Sequence, residues 1–71
     1  MPRLPRLSGK EVIKKFEHLG YSQTRQRGSH VWLEHNLLPP TSVPLHNVIG
    51  PGLLRQILRE IKVSVKEFIE L

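Results

Sequence analysis

Apolar residues change rhythm several times along this chain, and each change marks an element. Val12, Ile13, Phe16 and Leu19 recur at offsets 0, 1, 4 and 7, one stripe of a helix. Ser8-Gly9-Lys10-Glu11 precedes that stripe as a capping box, and Gly20 follows it as a stop. The spacing predicts a first helix over about 9–19, with Lys10, Lys14, Lys15 and Glu17 largely on its wet side. From Tyr21 to Arg27 the helical stripe is gone. Tyr21, Gln23, Arg25 and Arg27 alternate with Ser22, Thr24 and Gln26, as in a polar edge strand. Gly28-Ser29 permits a tight hairpin turn. His30 to Glu34 reads as a second strand, with Val31 and Leu33 on one face and His30, Trp32 and Glu34 on the other.

The prolines of HNLLPP, residues 35–40, end that ladder in a loop. Thr41 to His46 reads as a third strand, with Val43 and Leu45 on one face and Ser42, Pro44 and His46 on the other. Gly50-Pro51-Gly52 then opens a second helix, proline being favourable in a first helical turn. Leu53, Leu54, Ile57, Leu58 and Ile61 give it a broad apolar face. Ser64-Val65-Lys66-Glu67 is a second capping box and starts a short last helix. The expected fold class is α+β: a three-stranded antiparallel sheet with helices packed on one face, in the order helix, strand, strand, strand, helix. Residues 1–7, broken by Pro2 and Pro5, read as a flexible arm, and 8–71 as a single domain.

Composition narrows what such a domain can do. A chain of 71 residues buries only roughly 60% of its unfolded surface, so a shallow site on an open face suits it better than a deep pocket. There is no cysteine, hence no disulfide framework and no thiolate zinc site. The N-terminus lacks the apolar run of a signal peptide, and no segment is long and apolar enough for a membrane span, so a cytoplasmic protein without membrane association is expected. Eleven Lys and Arg against six Glu give a net charge of +5. Residues 1–30 carry seven of the basic groups against two Glu; the remainder is balanced, four against four. That asymmetry fits a phosphate-binding patch, or an ordinary solvated basic surface.

The chemistry available is limited. The acidic residues are all Glu, which disfavours a carboxylate-rich two-metal site and excludes a Ser-His-Asp triad. No histidine pair has a metal-ligand spacing, so neither metal nor cofactor is expected. His30, Trp32, Pro44 and His46 are expected on the sheet face that the helices leave open. Trp32 there is a packed sheet residue, part of a protein interface, or a platform for a base. His18 is expected to be solvated. His46 is either a structural hydrogen-bonding group or a second acid–base group. Arg25, Arg27, Lys10 and Lys14 are candidate phosphate contacts, or solvated charges. An imidazole, with a reference pKa of about 6.5, can take a proton from a ribose 2′-hydroxyl near neutral pH, and nearby cations can stabilise the charge that develops on the phosphate. By residue chemistry alone, His30 is either such a base or simply a histidine in a hairpin.

In order and length, LSGKEVIKKFEHLGY, RQRGSHVWL, VPLH, GPGLLRQILREI and VSVKEFIEL together resemble the HicA toxin family over about Leu7 to Leu71. The resemblance implies a fold like that of double-stranded-RNA-binding domains, and metal-independent endonucleolytic cleavage of mRNA or other single-stranded RNA by the toxin of a toxin–antitoxin pair. It implies a HicB-type antitoxin as partner, covering the catalytic face. The family's Gly-Ser-His motif falls on Gly28, Ser29 and His30, which makes His30 the implied catalytic residue. Two stretches depart from the family's usual pattern: HNLLPPTS before the third strand and NVIG before Pro51. The alternative readings are a non-catalytic RNA-binding module and a pure protein-interaction domain.

Overall fold

The computed structural model describes residues 3–71, so the first two positions of the expected arm lie outside it. Ser8 starts the first helix, α1 (Gly9–Leu19), by reciprocal capping. Its hydroxyl accepts the Glu11 N–H at 3.2 Å, and Glu11 Oε1 accepts the Ser8 N–H at 2.9 Å. The Ser8 backbone N–H, and after it the Ser8 hydroxyl, hold the Glu11 carboxyl below its ordinary range by favouring its charged form. The predicted stripe is the buried face, with Val12, Ile13 and Phe16 inside. Then follow β1 (Ser22–Arg27), β2 (His30–Glu34), β3 (Thr41–Pro44), α2 (Pro51–Glu60) and α3 (Val65–Ile69). The strands form one antiparallel sheet in the order β1-β2-β3. This is the expected α+β arrangement.

Burial along β2 alternates as predicted, with Val31 and Leu33 inside and His30, Trp32 and Glu34 outside. Val31, Leu33 and Val43 share one core with Val12 and Phe16 of α1, Leu54 and Leu58 of α2, and Phe68 of α3. Each such side chain taken fully out of water contributes about 1.5–3 kcal/mol. Phe16 joins two parts of the core, packing against Tyr21 at 5.6 Å and edge-on against Phe68 at 5.7 Å between ring centroids. Lys15, expected on the wet side of α1, is half-buried: its Nζ lies 5.4 Å from the centroid of the Phe68 ring and donates to the Leu71 carbonyl oxygen at 3.1 Å.

The structure corrects the sequence reading in three further places. Tyr21 precedes β1 and belongs to the core; its hydroxyl donates to the Pro39 carbonyl at 2.7 Å and so ties down the 35–40 loop. Burial of this ring raises its phenol above the ordinary value by disfavouring the phenolate. The second correction concerns β1, which does not alternate evenly. A register shift between Gln23 and Arg25 leaves Thr24 without a partner, so Gln23 pairs with Leu33 and Arg25 with Trp32. The irregularity moves Gln23 off the face of Arg25 and Arg27, because one extra residue inverts strand parity.

The third strand is also shorter than expected. It ends at Pro44 and not at His46, and Pro44 is buried although it stands opposite His30 in the register. Beyond it, the Leu45 N–H goes to the Ser29 carbonyl at 2.6 Å, and the His46 carbonyl accepts the Gly9 N–H at 2.9 Å. That carbonyl satisfies one of the unpaired donors at the start of α1, which draws the chain away from the sheet. The approach requires glycine: a Cβ on Gly9 would lie 2.0 Å from the Pro44 carbonyl oxygen. Leu7 and Ile49 form an isolated antiparallel bridge beside this junction.

Candidate functional site

The face of the sheet left open by the helices collects the hairpin's charged and aromatic side chains. Arg25 stands opposite Trp32, and Arg27 opposite His30. The Arg25 guanidinium carbon lies 5.6 Å from the centroid of a Trp32 ring, a cation–π contact. The His30 ring, two residues away on the same face of β2, has its centroid 6.2 Å from that of Trp32 at 49° between planes. Arg25, Arg27 and His30 are exposed, and Trp32 retains 37% of its surface. A partly exposed aromatic ring with a guanidinium over it is costly to leave in water and suited to a flat, anionic ligand.

The turn that aims His30 is firmly built. Of its two central residues only Gly28 has positive φ, +59°, which excludes a type I′ turn and fits type II′ with glycine first. Gln26 Nε2 donates to the Gly28 carbonyl at 3.2 Å. The Ser29 carbonyl is held by Leu45, so the Gly28-Ser29-His30 segment is braced from β1 on one side and from the end of β3 on the other. His46, exposed, follows Leu45 directly and therefore sits just beyond this brace.

The predicted site residues thus divide. Arg25, Arg27, Gly28, Ser29, His30 and Trp32 come together at one end of the open face; His46, expected there too, lies beyond the end of β3, where its carbonyl is held by the start of α1. Lys10 lies elsewhere, in a shallow groove with Gln23 and Gln26 between α1 and the hairpin. Lys14 lines another groove on α1, with Glu11, His18 and Leu71. Among the described residues no three His, Cys, Asp or Glu side chains form a group able to hold a metal ion. No helix of the described residues is long and apolar enough to cross a membrane.

Sequence reading missed one part of this face. Trp32, Pro40, Thr41, Ser42 and Glu60 line an open groove of about 340 Å³ alongside the hairpin. Ser42 was foreseeable from strand parity, since it pairs with Trp32. Glu60 carries a subtler signal: it ends α2, where an acidic residue opposes the helix dipole.

A family model described as the HicA toxin of bacterial toxin–antitoxin systems matches residues 9–63, from the first residue of α1 to just past α2. The chain belongs to this family. Membership in the HicA family implies the toxin of a toxin–antitoxin system, whose partner is a HicB-type antitoxin. A search of curated proteins finds no match.

Proposed function

We propose that this HicA-family protein is a metal-independent endoribonuclease that cuts mRNA or other single-stranded RNA in the cytoplasm, with His30 as general base. The observation that carries the proposal is the alignment on one open face of an exposed imidazole with an arginine opposite it and an arginine-backed tryptophan beside it. A neutral His30 ring takes the proton of a ribose 2′-hydroxyl. The 2′ oxygen attacks the adjacent phosphorus, the bond to the 5′ oxygen breaks, and that oxygen leaves with a proton from water. Arg27, opposite His30, stabilises the charge gathering on the phosphate oxygens. The product ends are a 2′,3′-cyclic phosphate and a 5′-hydroxyl.

The test is direct. Purified protein incubated with RNA in excess chelator is expected to release fragments ending in 2′,3′-cyclic phosphate. Intact RNA that is nonetheless bound, with an affinity falling as salt rises, identifies a non-catalytic RNA-binding module instead. No salt-dependent RNA affinity at all identifies a protein-interaction domain.

A further inference from the structure

The groove beside Trp32 has a composition that phosphate contact does not explain. We infer that it is a base-recognition subsite selective for guanine, with Trp32 as stacking surface and the Glu60 carboxylate reading the Watson–Crick edge; this rests on the RNA-cleaving function proposed for the same face. The lining combines one aromatic ring, two hydroxyl residues in Thr41 and Ser42, the apolar ring of Pro40, and one carboxylate. Its volume of about 340 Å³ lies at the small end of ligand sites and suits a single base better than a folded substrate.

A carboxylate within a phosphate-binding surface repels the backbone it borders. Glu60 gains nothing from its position at the C-terminal end of α2 either, where the dipole disfavours it. Both penalties are offset if Glu60 accepts hydrogen bonds from a base. Guanine is the base that presents two adjacent donors, N1–H and the 2-amino group, matching the two oxygens of a carboxylate. Adenine and cytosine place an acceptor beside their amino donor, and uracil flanks its single N–H with two carbonyls; an ionised carboxylate is repelled by each of these lone pairs. The Ser42 hydroxyl, on the Trp32 side of the sheet by register and able both to donate and to accept, completes the edge. The 6.2 Å between the Trp32 and His30 rings is short enough for a base on Trp32 to belong to the nucleotide at or next to the phosphate facing His30.

The test separates recognition from cleavage. The chain has a single tryptophan, so stacking on Trp32 is read directly as a change in its fluorescence. The His30→Ala protein, which keeps the groove intact, is titrated with short RNAs carrying guanine, inosine, adenine, cytosine or uracil at one position. Guanine is expected to bind roughly tenfold tighter than the others, the scale of a bidentate contact, and inosine, which lacks the 2-amino group, to lose most of that margin. Glu60→Gln added to this protein is expected to abolish the margin by weakening guanine binding, while the other bases bind as well as before or more tightly because the carboxylate's repulsion is gone. Equal affinity for all five bases, a guanine preference that survives Glu60→Gln, or no RNA binding overturns the inference. Cleavage by the native protein is scored separately: cutting without regard to base sinks the subsite and leaves the ribonuclease standing, whereas guanine-selective binding without cutting sinks the ribonuclease and leaves the subsite.

Discussion

His30 and His35 lie five residues apart and differ in every respect that decides what a histidine does. His35 is half-buried beside the C-terminal end of α1. Its Nδ1 accepts the backbone N–H groups of Leu37 and Leu38 at 3.0 and 3.1 Å, which places its proton on Nε2, 3.1 Å from the Leu19 carbonyl. Its ring packs on Tyr21 at 5.0 Å. The loop after β2 is thereby folded back onto α1. His30 lies on the open face with an aromatic ring for a neighbour and a cation across the strand pair. One imidazole is occupied in holding backbone; the other is held in place by backbone at the turn before it and, among the described residues, its ring nitrogens hold no backbone.

Replacing each histidine should separate the two roles. His30→Ala is expected to show the largest effect, a fall in RNA cleavage of about 10²–10⁴-fold, the usual contribution of a general base, with an unchanged urea midpoint. Undiminished cleavage by this variant, followed on gels under single-turnover conditions, would end the case for His30. His35→Ala should do the reverse. It leaves two backbone N–H groups and one carbonyl unpaired in a partly buried loop and should cost about 2–3 kcal/mol of stability in urea unfolding. Its cleavage rate per folded molecule should stay near that of the native protein. A fully stable His35→Ala protein would show that the loop needs no such fastening.

Tyr21, packed against His35 at a tilt of 58°, gives the fastened region a signature in alkali. Its phenol titrates above the ordinary value in the folded protein, so the stability this supplies is fully present below about pH 10. It is lost as pH rises from there through the folded value. Tyr21→Phe removes this dependence together with the bond to Pro39, so its stability should be lower near neutrality and flatter in alkali. Parallel curves for the two proteins through that range would contradict the assignment. On the open face the corresponding signature is salt. Arg25→Gln and Arg27→Gln should each reduce the slope of log affinity against log salt by about one, whereas Lys14→Gln, on another surface, should leave it unchanged. An equal change from Lys14→Gln would mean that RNA runs over α1 as well.

The contrast also explains what could be read from the sequence. Elements fixed by local chemistry were legible: both capping boxes, the 9–19 stripe, the Gly28-Ser29 turn and the alternation of β2 all stand where the residues put them. So was the open-face position of His30 and Trp32, which follows from parity alone. The misread features depend on tertiary pairing. Nothing local to SQTRQR signals the irregularity at Thr24, because every residue there is exposed and polar. The early end of β3 is set by the Gly9 N–H, more than thirty residues away in sequence. His35 as a fastening and Glu60 as a neighbour of Trp32 likewise arise from the meeting of distant segments.

The smallest expected effect asks why the turn before His30 carries glycine. Two reasons are possible in principle, backbone conformation and bare space for a ligand. A Cβ on Gly28 would meet nothing within 4 Å, so in the free protein space is not the reason, while its φ of +59° is unfavourable for any residue with a side chain. Gly28→Ala should therefore cost about 1–2 kcal/mol, and Gly28→Asn less, since asparagine is the side-chain-bearing residue such turns tolerate best. Both are measured by urea unfolding. The Asn protein then separates the two reasons, because it keeps the turn while adding bulk beside His30. If it binds and cuts RNA like the native protein, glycine serves the backbone alone. If it folds normally yet loses RNA affinity, the empty space over Gly28 is where the phosphate backbone passes, and the open face extends from Trp32 across the turn itself.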